Sequence, residues 1–246
     1  MLNTFVIALR EGLEASLIVG ILIAYLKKSE RTILMKSLWF GVFSAIGAAL
    51  LFGGVLSFTS TNLSDEHEMI FAGTTGIIAV ALVTWMIFWM KKTARFMKLE
   101  LEQKASAAIS AGALSLAAFT AVAREGLETS LFLYANFKAD TNAVASTIGL
   151  LLGVSASIAL GYAIYKGAIR FNLALFFKVS GVALIAVAAN VLKMALGEYV
   201  ELGYLTGSAL PTISAAIYIA ICAPIYLSKP KPVTPAELKN RITLTK

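Results

Sequence analysis

Long apolar stretches, broken only by short polar connections, run along almost the whole chain. Seven of them stand out: residues 2–26, 36–58, 69–90, 106–136, 143–165, 171–193 and 209–227. Each holds roughly 20 residues or more, the length an α-helix needs to cross a hydrocarbon core about 30 Å thick. A backbone in lipid must satisfy its own hydrogen bonds, so runs of this length read as spanning helices. The pattern predicts an all-α, polytopic membrane protein, with a seven-helix domain over 1–227 and a tail over 228–246. The first stretch has no basic segment ahead of it, which marks it as a retained helix rather than a cleaved leader.

Charge then orients the helices. Lys27, Lys28, Arg31 and Lys36 fill the first connection, Lys91, Lys92, Arg95, Lys98 and Lys104 the third, and Lys166 and Arg170 the fifth. The tail adds Lys229, Lys231, Lys239, Arg241 and Lys246. The alternate connections differ: Asp65, Glu66 and Glu68 without a base, then Lys138 alone, then Lys193 against Glu198 and Glu201. Basic connections stay on the inner face, so the N-terminus is expected outside and the C-terminus inside. Trp39, Trp85 and Trp89 fall near the predicted inner ends, where amphipathic rings collect.

Two of the apolar stretches are interrupted in the same way. Arg-Glu-Gly-Leu-Glu occurs at Arg10–Glu14 and again at Arg124–Glu128, within the wider match of Phe5–Leu17 to Phe119–Leu131. Each Arg or Glu at the centre of a spanning helix costs about 3 kcal/mol, so the two copies together ask for roughly 15–20 kcal/mol. Three spans separate the copies. Helices 1–3 (about 2–90) and 4–6 (about 106–193) are therefore expected to form an inverted pair of triplets, with helix 7 (about 209–227) added. Inverted repeats of this kind carry substrate sites near the bilayer midplane, at the interface of the two halves. At 1.5 Å per residue, both motifs lie roughly 12–18 Å below the outer surface.

The spacing within each motif defines local chemistry. Glu11 and Glu14 are three residues apart and share a helix face, as do Glu125 and Glu128. Arg10 and Arg124 each precede a glutamate by four residues. Gly12 and Gly126 are expected to let the two motif helices approach closely. Four carboxylates against two guanidiniums make an oxygen-rich site suited to hard cations. No cysteine lies at that depth, and the one histidine, His67, falls in an outer connection, so copper(I) and a thiolate zinc site are not expected. The competing reading is a structural lock, with Arg10 paired to Glu125 or Glu128 and Arg124 to Glu11 or Glu14. Two acids per base, in duplicate, exceed what a lock needs.

Composition fits this picture: 59% hydrophobic and 14% charged residues, with a mean hydropathy of +0.81. The net charge of +7 is explained by the inner connections and is not read as a nucleic-acid surface. A single cysteine, Cys222, rules out an internal disulfide and reads as a small apolar residue. No phosphate-binding Gly-rich Lys-Ser/Thr motif is present, so the chain carries no ATP site of that type.

With both copies intact in the first and fourth of seven spans, residues 2–227 resemble the high-affinity iron permeases, the membrane component of oxidase-dependent iron uptake. The resemblance implies a permease rather than an enzyme, in the plasma membrane, importing iron supplied as ferric ion by a separate extracytoplasmic oxidase or iron-binding protein. Iron is then the cargo, and no fixed cofactor is implied. The implied ligands are Glu11, Glu14, Glu125 and Glu128, with Arg10 and Arg124 as supporting ion pairs. Outer acids of the family help to capture iron, and Asp65, Glu66, Glu68, Glu198 and Glu201 are the matching positions. A permease for manganese or lead is the nearest alternative. A seven-helix receptor shares the topology but has no need of buried acids in duplicate, and a retinal protein needs a lysine that 209–227 lacks. Lys178 is expected to snorkel, Thr84 and Asn190 to bond across helices, and Thr234–Glu237 to start a short helix.

Overall fold

The computed structural model describes residues 1–93, 103, 105–107, 110–139, 142–167 and 172–228. Among these residues lie seven long α-helices: α1 (Leu2–Lys28), α2 (Met35–Thr61), α3 (Asp65–Thr93), α4 (Ala111–Ala139), α5 (Ala143–Tyr165), α6 (Leu173–Glu201) and α7 (Leu210–Leu227). A single 3-10 turn, Thr32–Leu34, links α1 to α2. Local signals set the ends. Lys27 and Lys28 occupy the last turn of α1, where cations complement the helix dipole. Asn142 and Asn172 cap α5 and α6, accepting from the amides of Ala145 and Leu175 at 3.0 and 3.1 Å. Gly203, in the left-handed region at φ 75°, follows the end of α6. Pro211 opens α7.

Several helices run further than the apolar pattern suggests. Asp65, Glu66 and Glu68 were expected in a connection but form the first turn of α3. Lys193, Glu198 and Glu201 likewise belong to the last turns of α6. Hydropathy marks where a helix leaves lipid, not where it stops. Acids in a first turn favour the helix N-terminus, and nothing in α6 breaks the helix before Gly203. The helix expected after Thr234 lies outside the described residues, as does most of 94–104.

Five of the seven helices, α2, α3, α5, α6 and α7, are long and apolar enough to cross a membrane. The other two, α1 and α4, carry the charged motifs. These two also sit innermost: α1 packs on α2, α4, α5 and α6, and α4 on α1, α2, α3 and α6. Outside them, α2, α5 and α7 turn large apolar side chains outward, among them Phe40, Phe43, Leu151, Ile158, Ile217 and Ile221. A surface of that kind is made for lipid, not water.

Small residues set the principal contacts. On α5, Ser146, Gly149, Gly153, Ser157 and Gly161 form the buried stripe. A Cβ on Gly153 would lie 2.8 Å from that of Ala8, so the backbones of α1 and α5 approach too closely for a side chain there. The contacts run Gly149 to Met1, Gly153 to Phe5 and Gly161 to Ser16, so the two helices are parallel. Helix α2 packs on α4 in the same manner, from Gly41 against Ser115 to Gly53 against Ser130. Helices α3 and α6 are antiparallel, with Gly73 against Tyr199 and Gly76 against Val191, and the Thr74 and Tyr199 hydroxyls bond at 2.7 Å. Exchanging α1–α3 with α4–α6 turns the α1–α5 contact into α4–α2 and leaves α3–α6 unchanged. Helix α7 is tied on by Tyr226, whose hydroxyl donates to the Phe177 carbonyl at 2.7 Å, and by the Thr84–Tyr218 pair at 2.7 Å. Thr84 thus bonds across helices as expected, whereas Asn190 is exposed.

Candidate functional site

Helices α1 and α4 bring the two motifs together in the middle of the bundle. Ligand atoms of Glu11, Glu14 and Glu125 all lie within 4.8 Å of one another, and all three residues are buried. Glu128, the fourth sequence candidate, stands beside this group and bonds its own arginine instead: Arg124 Nε donates to its Oε1 at 3.0 Å. Among the described residues no ion pair joins Arg10 to Glu125 or Glu128, or Arg124 to Glu11 or Glu14, so the competing lock does not form; each guanidinium serves its own helix. Arg10 Nη1 donates to Glu11 Oε1 at 2.7 Å, and its Nη2 lies 3.1 Å from Glu14 Oε1. Arg124 Nε is 3.9 Å from Glu125 Oε1. The carboxylates of the two helices are therefore left facing one another.

Like charges at this separation repel strongly in a medium poorer than water. The two arginines offset part of that repulsion, but each carboxylate keeps an oxygen that accepts no hydrogen bond. Glu11 Oε2, Glu125 Oε2 and Glu128 Oε2 are buried without a hydrogen-bond partner, and Glu14 Oε1 has only the ion pair to Arg10, poorly aligned for a hydrogen bond. Buried polar atoms are nearly always satisfied, so four such oxygens in one place mark somewhere that a cation can be held.

Gly12 and Gly126 do not lie between α1 and α4, where they are expected to let the two motif helices approach closely. A Cβ on Gly12 would strike Ser157 of α5, and one on Gly126 would lie 2.7 Å from the Ala49 Cβ of α2. Helical geometry gives the reason. At about 100° per residue, Gly12 points well away from the face shared by Glu11 and Glu14. The glycines press each motif helix onto its outer neighbour, and Ser130 reinforces the second contact by donating to the Ala49 carbonyl at 2.9 Å.

Two residues around the site are not among the site residues expected from the sequence. Met86 of α3 is fully buried, with its Sδ 3.0 Å from Arg10 Nη1. A soft donor is thus present at this depth after all, although it faces a guanidinium. Trp89, one turn further on, lies under Arg124 with 4.3 Å from the guanidinium carbon to the ring centre, and Trp85 lies at 5.9 Å. Trp85 and Trp89 stack on each other. Their four-residue spacing was visible in the sequence, but it read as a membrane-interface belt.

The acids at the helix ends form a separate group. Asp65, Glu66 and Glu68 begin α3 and Glu198 and Glu201 end α6, which brings all five to one end of that antiparallel pair. Glu68 accepts from Ser60 Oγ at 3.2 Å, and His67 Nδ1 pairs with Ser64 Oγ at 2.7 Å. Cys222 is buried and Lys178 exposed, as apolar and snorkelling roles require.

The sequence profile described as the Iron permease FTR1 family matches residues 1–216. The chain belongs to that family. The Ferrous iron permease EfeU of Escherichia coli O157:H7 is 38% identical over 208 residues, covering 82% of this chain and 75% of that protein. The protein of the same name from Yersinia pestis is 36% identical, covering 82% of this chain and 73% of its own length. No solved structure matches. Family members are permeases, so the chain is a membrane-embedded iron transporter rather than an enzyme.

Proposed function

We propose that the chain imports iron across the plasma membrane through the buried glutamates of its two repeated motifs. Glu11, Glu14 and Glu125 bind the ion first-hand, and Glu128 joins them when its bond to Arg124 opens. The observation that carries this reading is the set of buried carboxylate oxygens without hydrogen-bond partners. Arg10 and Arg124 limit the negative charge of the empty site and aim the carboxylates.

In this reading all seven helices span the bilayer, with the N-terminus outside and the C-terminus inside, and α1 and α4 cross despite their charges. Two triplets, α1–α3 and α4–α6, form the inverted repeat. The exchange-invariant packing supports this, as does the matched placement of Gly149 on Met1 and Gly41 on Ser115. Asp65, Glu66, Glu68, Glu198 and Glu201 then face outward, where an acidic surface raises the local cation concentration. An inside-negative potential of 100 mV favours each inward charge by about 2.3 kcal/mol, so a trivalent ion gains roughly 7 kcal/mol.

The ion is ferric in this proposal and reaches the outer acids from a separate oxidase or iron-binding protein. An all-carboxylate ligand set suits the harder ion. The ferrous ion is the second reading, favoured by the relatives, which are named ferrous iron permeases. Uptake of radioactive iron into proteoliposomes tests both, with iron held reduced in one arm and oxidised in the other, and with manganese and lead as competitors. Iron uptake that manganese or lead suppresses at equal concentration would reassign the cargo. Uptake confined to the reduced arm would replace the ferric reading with the ferrous one.

A further inference from the structure

Two small cavities lie end to end between α3, α4 and α6. One reaches towards the acidic end of the bundle and is lined by Gly76, Tyr134, Met194 and Glu198. The other lies nearer the glutamates and is lined by Ile7, Val83, Phe132, Asn136 and Leu184. Ala135 and Val191 border both. Each leaves about 10 Å³ to the centre of a water-sized sphere, close to the lower limit for one water molecule.

Asn136 is the feature that a merely structural gap does not explain. It is only 3% exposed, and its Nδ2 donates to the Phe132 carbonyl at 3.0 Å. Its Oδ1 has no partner. An amide placed for packing alone would satisfy both ends, since a buried acceptor without a donor is costly. Asn136 lies eleven residues beyond Glu125, which is about three helical turns, so it returns to nearly the same face of α4 roughly 16 Å along the axis. Between the two stand Ile7, one turn before Glu11, and Phe132, one turn after Glu128. Both are buried and apolar.

We propose that these cavities are the passage from the acidic end of the bundle to the glutamate cluster, that Asn136 Oδ1 is an oxygen ligand for the cation on the way, and that Ile7 and Phe132 form the constriction it must part. This rests on the reading of the chain as a cation permease. A neutral amide oxygen is apt for such a station. It replaces a water ligand of a hard cation but holds the ion less firmly than a carboxylate does, and conduction needs binding weak enough to release.

Kinetics of iron uptake into proteoliposomes, in variants present at equal amounts in the membrane, provide the first test. Asn136→Leu keeps the branched outline and removes the oxygen, and is expected to raise KM for iron at least about tenfold. Asn136→Asp is expected to keep or lower KM while slowing the maximal rate, because a full charge retains the ion. Wild-type kinetics in Asn136→Leu would overturn the proposal. The second test does not depend on iron transport. In Asn136→Cys, the thiol is exposed to Ag+ from the acidic side, and the thiols left free are then tagged in the denatured protein and mapped by mass. The new cysteine is expected to be taken by Ag+, more slowly with iron present, while the native buried Cys222 stays free. A residue-136 thiol as unreactive as Cys222 would contradict the passage. A parent protein that takes up no iron contradicts the proposed function and leaves the Ag+ result to decide the passage.

Discussion

The two Arg-Glu-Gly-Leu-Glu motifs are identical in sequence and unlike in setting. In the first, Arg10 is 1% exposed and is held by Glu11, Glu14 and the Met86 sulfur. In the second, the Arg124 side chain is 31% exposed, bonds Glu128, and rests on the face of Trp89. One guanidinium is fully buried among two carboxylates and a sulfur; the other is partly exposed, with Glu128 at 3.0 Å, Glu125 further off and an aromatic ring beneath it. The difference comes from α3, which presents Met86 to one arginine and Trp89 to the other. In the proposed reading, sequence repetition supplies the ligands, and the element between the repeats encloses one motif and leaves the other partly open. The enclosed half then fixes two of the three clustered carboxylates. The open half then holds Glu128 in reserve.

The largest effect is expected at the carboxylates themselves. Replacing Glu11, Glu14, Glu125 or Glu128 by Ala should reduce iron uptake to background while the protein still reaches the membrane. Normal uptake in any one of these variants removes that residue from the ligand set. If only Glu128→Ala retains partial uptake, the contrast between a fixed and a reserve half is sharpened rather than lost.

Arginine replacement should separate the motifs next. Lys lacks the planar fork that grips two carboxylate oxygens, so Arg10→Lys leaves buried partners unsatisfied. Breaking a buried pair typically costs about 3–5 kcal/mol, and Arg10→Lys should lower both thermal stability and uptake. Arg124→Lys, at a partly exposed position, should cost less stability than Arg10→Lys and act mainly on uptake. Equal stability losses would show the two settings to be equivalent.

A smaller effect is expected at Trp89. A desolvated cation–π contact contributes about 1–2 kcal/mol, so Trp89→Leu should raise KM for iron about 5–30-fold, and Trp89→Phe should recover part of it. Failure of Phe to recover more than Leu would make Trp89 a packing residue only. The smallest effect belongs to the surface. Neutralising Asp65, Glu66, Glu68, Glu198 and Glu201 together should weaken apparent affinity more than maximal rate, and less so as salt screens the field. An unchanged rate at low iron would leave these acids a solvated rim.

Much of this was legible in the sequence because it follows from periodicity. The apolar runs foretold an all-helical fold with long apolar helices, and three-residue spacing placed Glu11 with Glu14 on one face. What periodicity lacks is the identity of the neighbour. It gives the face that Gly12 occupies but not that Ser157 meets it there. It also misplaces helix ends where polar residues extend a helix into water, as at Asp65 and Glu198. Met86, Trp89 and Asn136 were hidden for a related reason. Each looks like an ordinary residue of a spanning helix until a distant helix brings Arg10, Arg124 or a cavity against it.

The central claim is that iron passes through the buried carboxylate cluster, and Glu125 tests it most directly. Glu125 alone supplies the α4 side of the three-carboxylate group, and its oxygen is among those left without a donor. Radioactive iron uptake should be measured in proteoliposomes holding equal amounts of the wild-type protein and of Glu125→Gln, which keeps the shape and removes the charge. The expected result is uptake by the wild type and none above background by the variant. Equal uptake by both would contradict the claim.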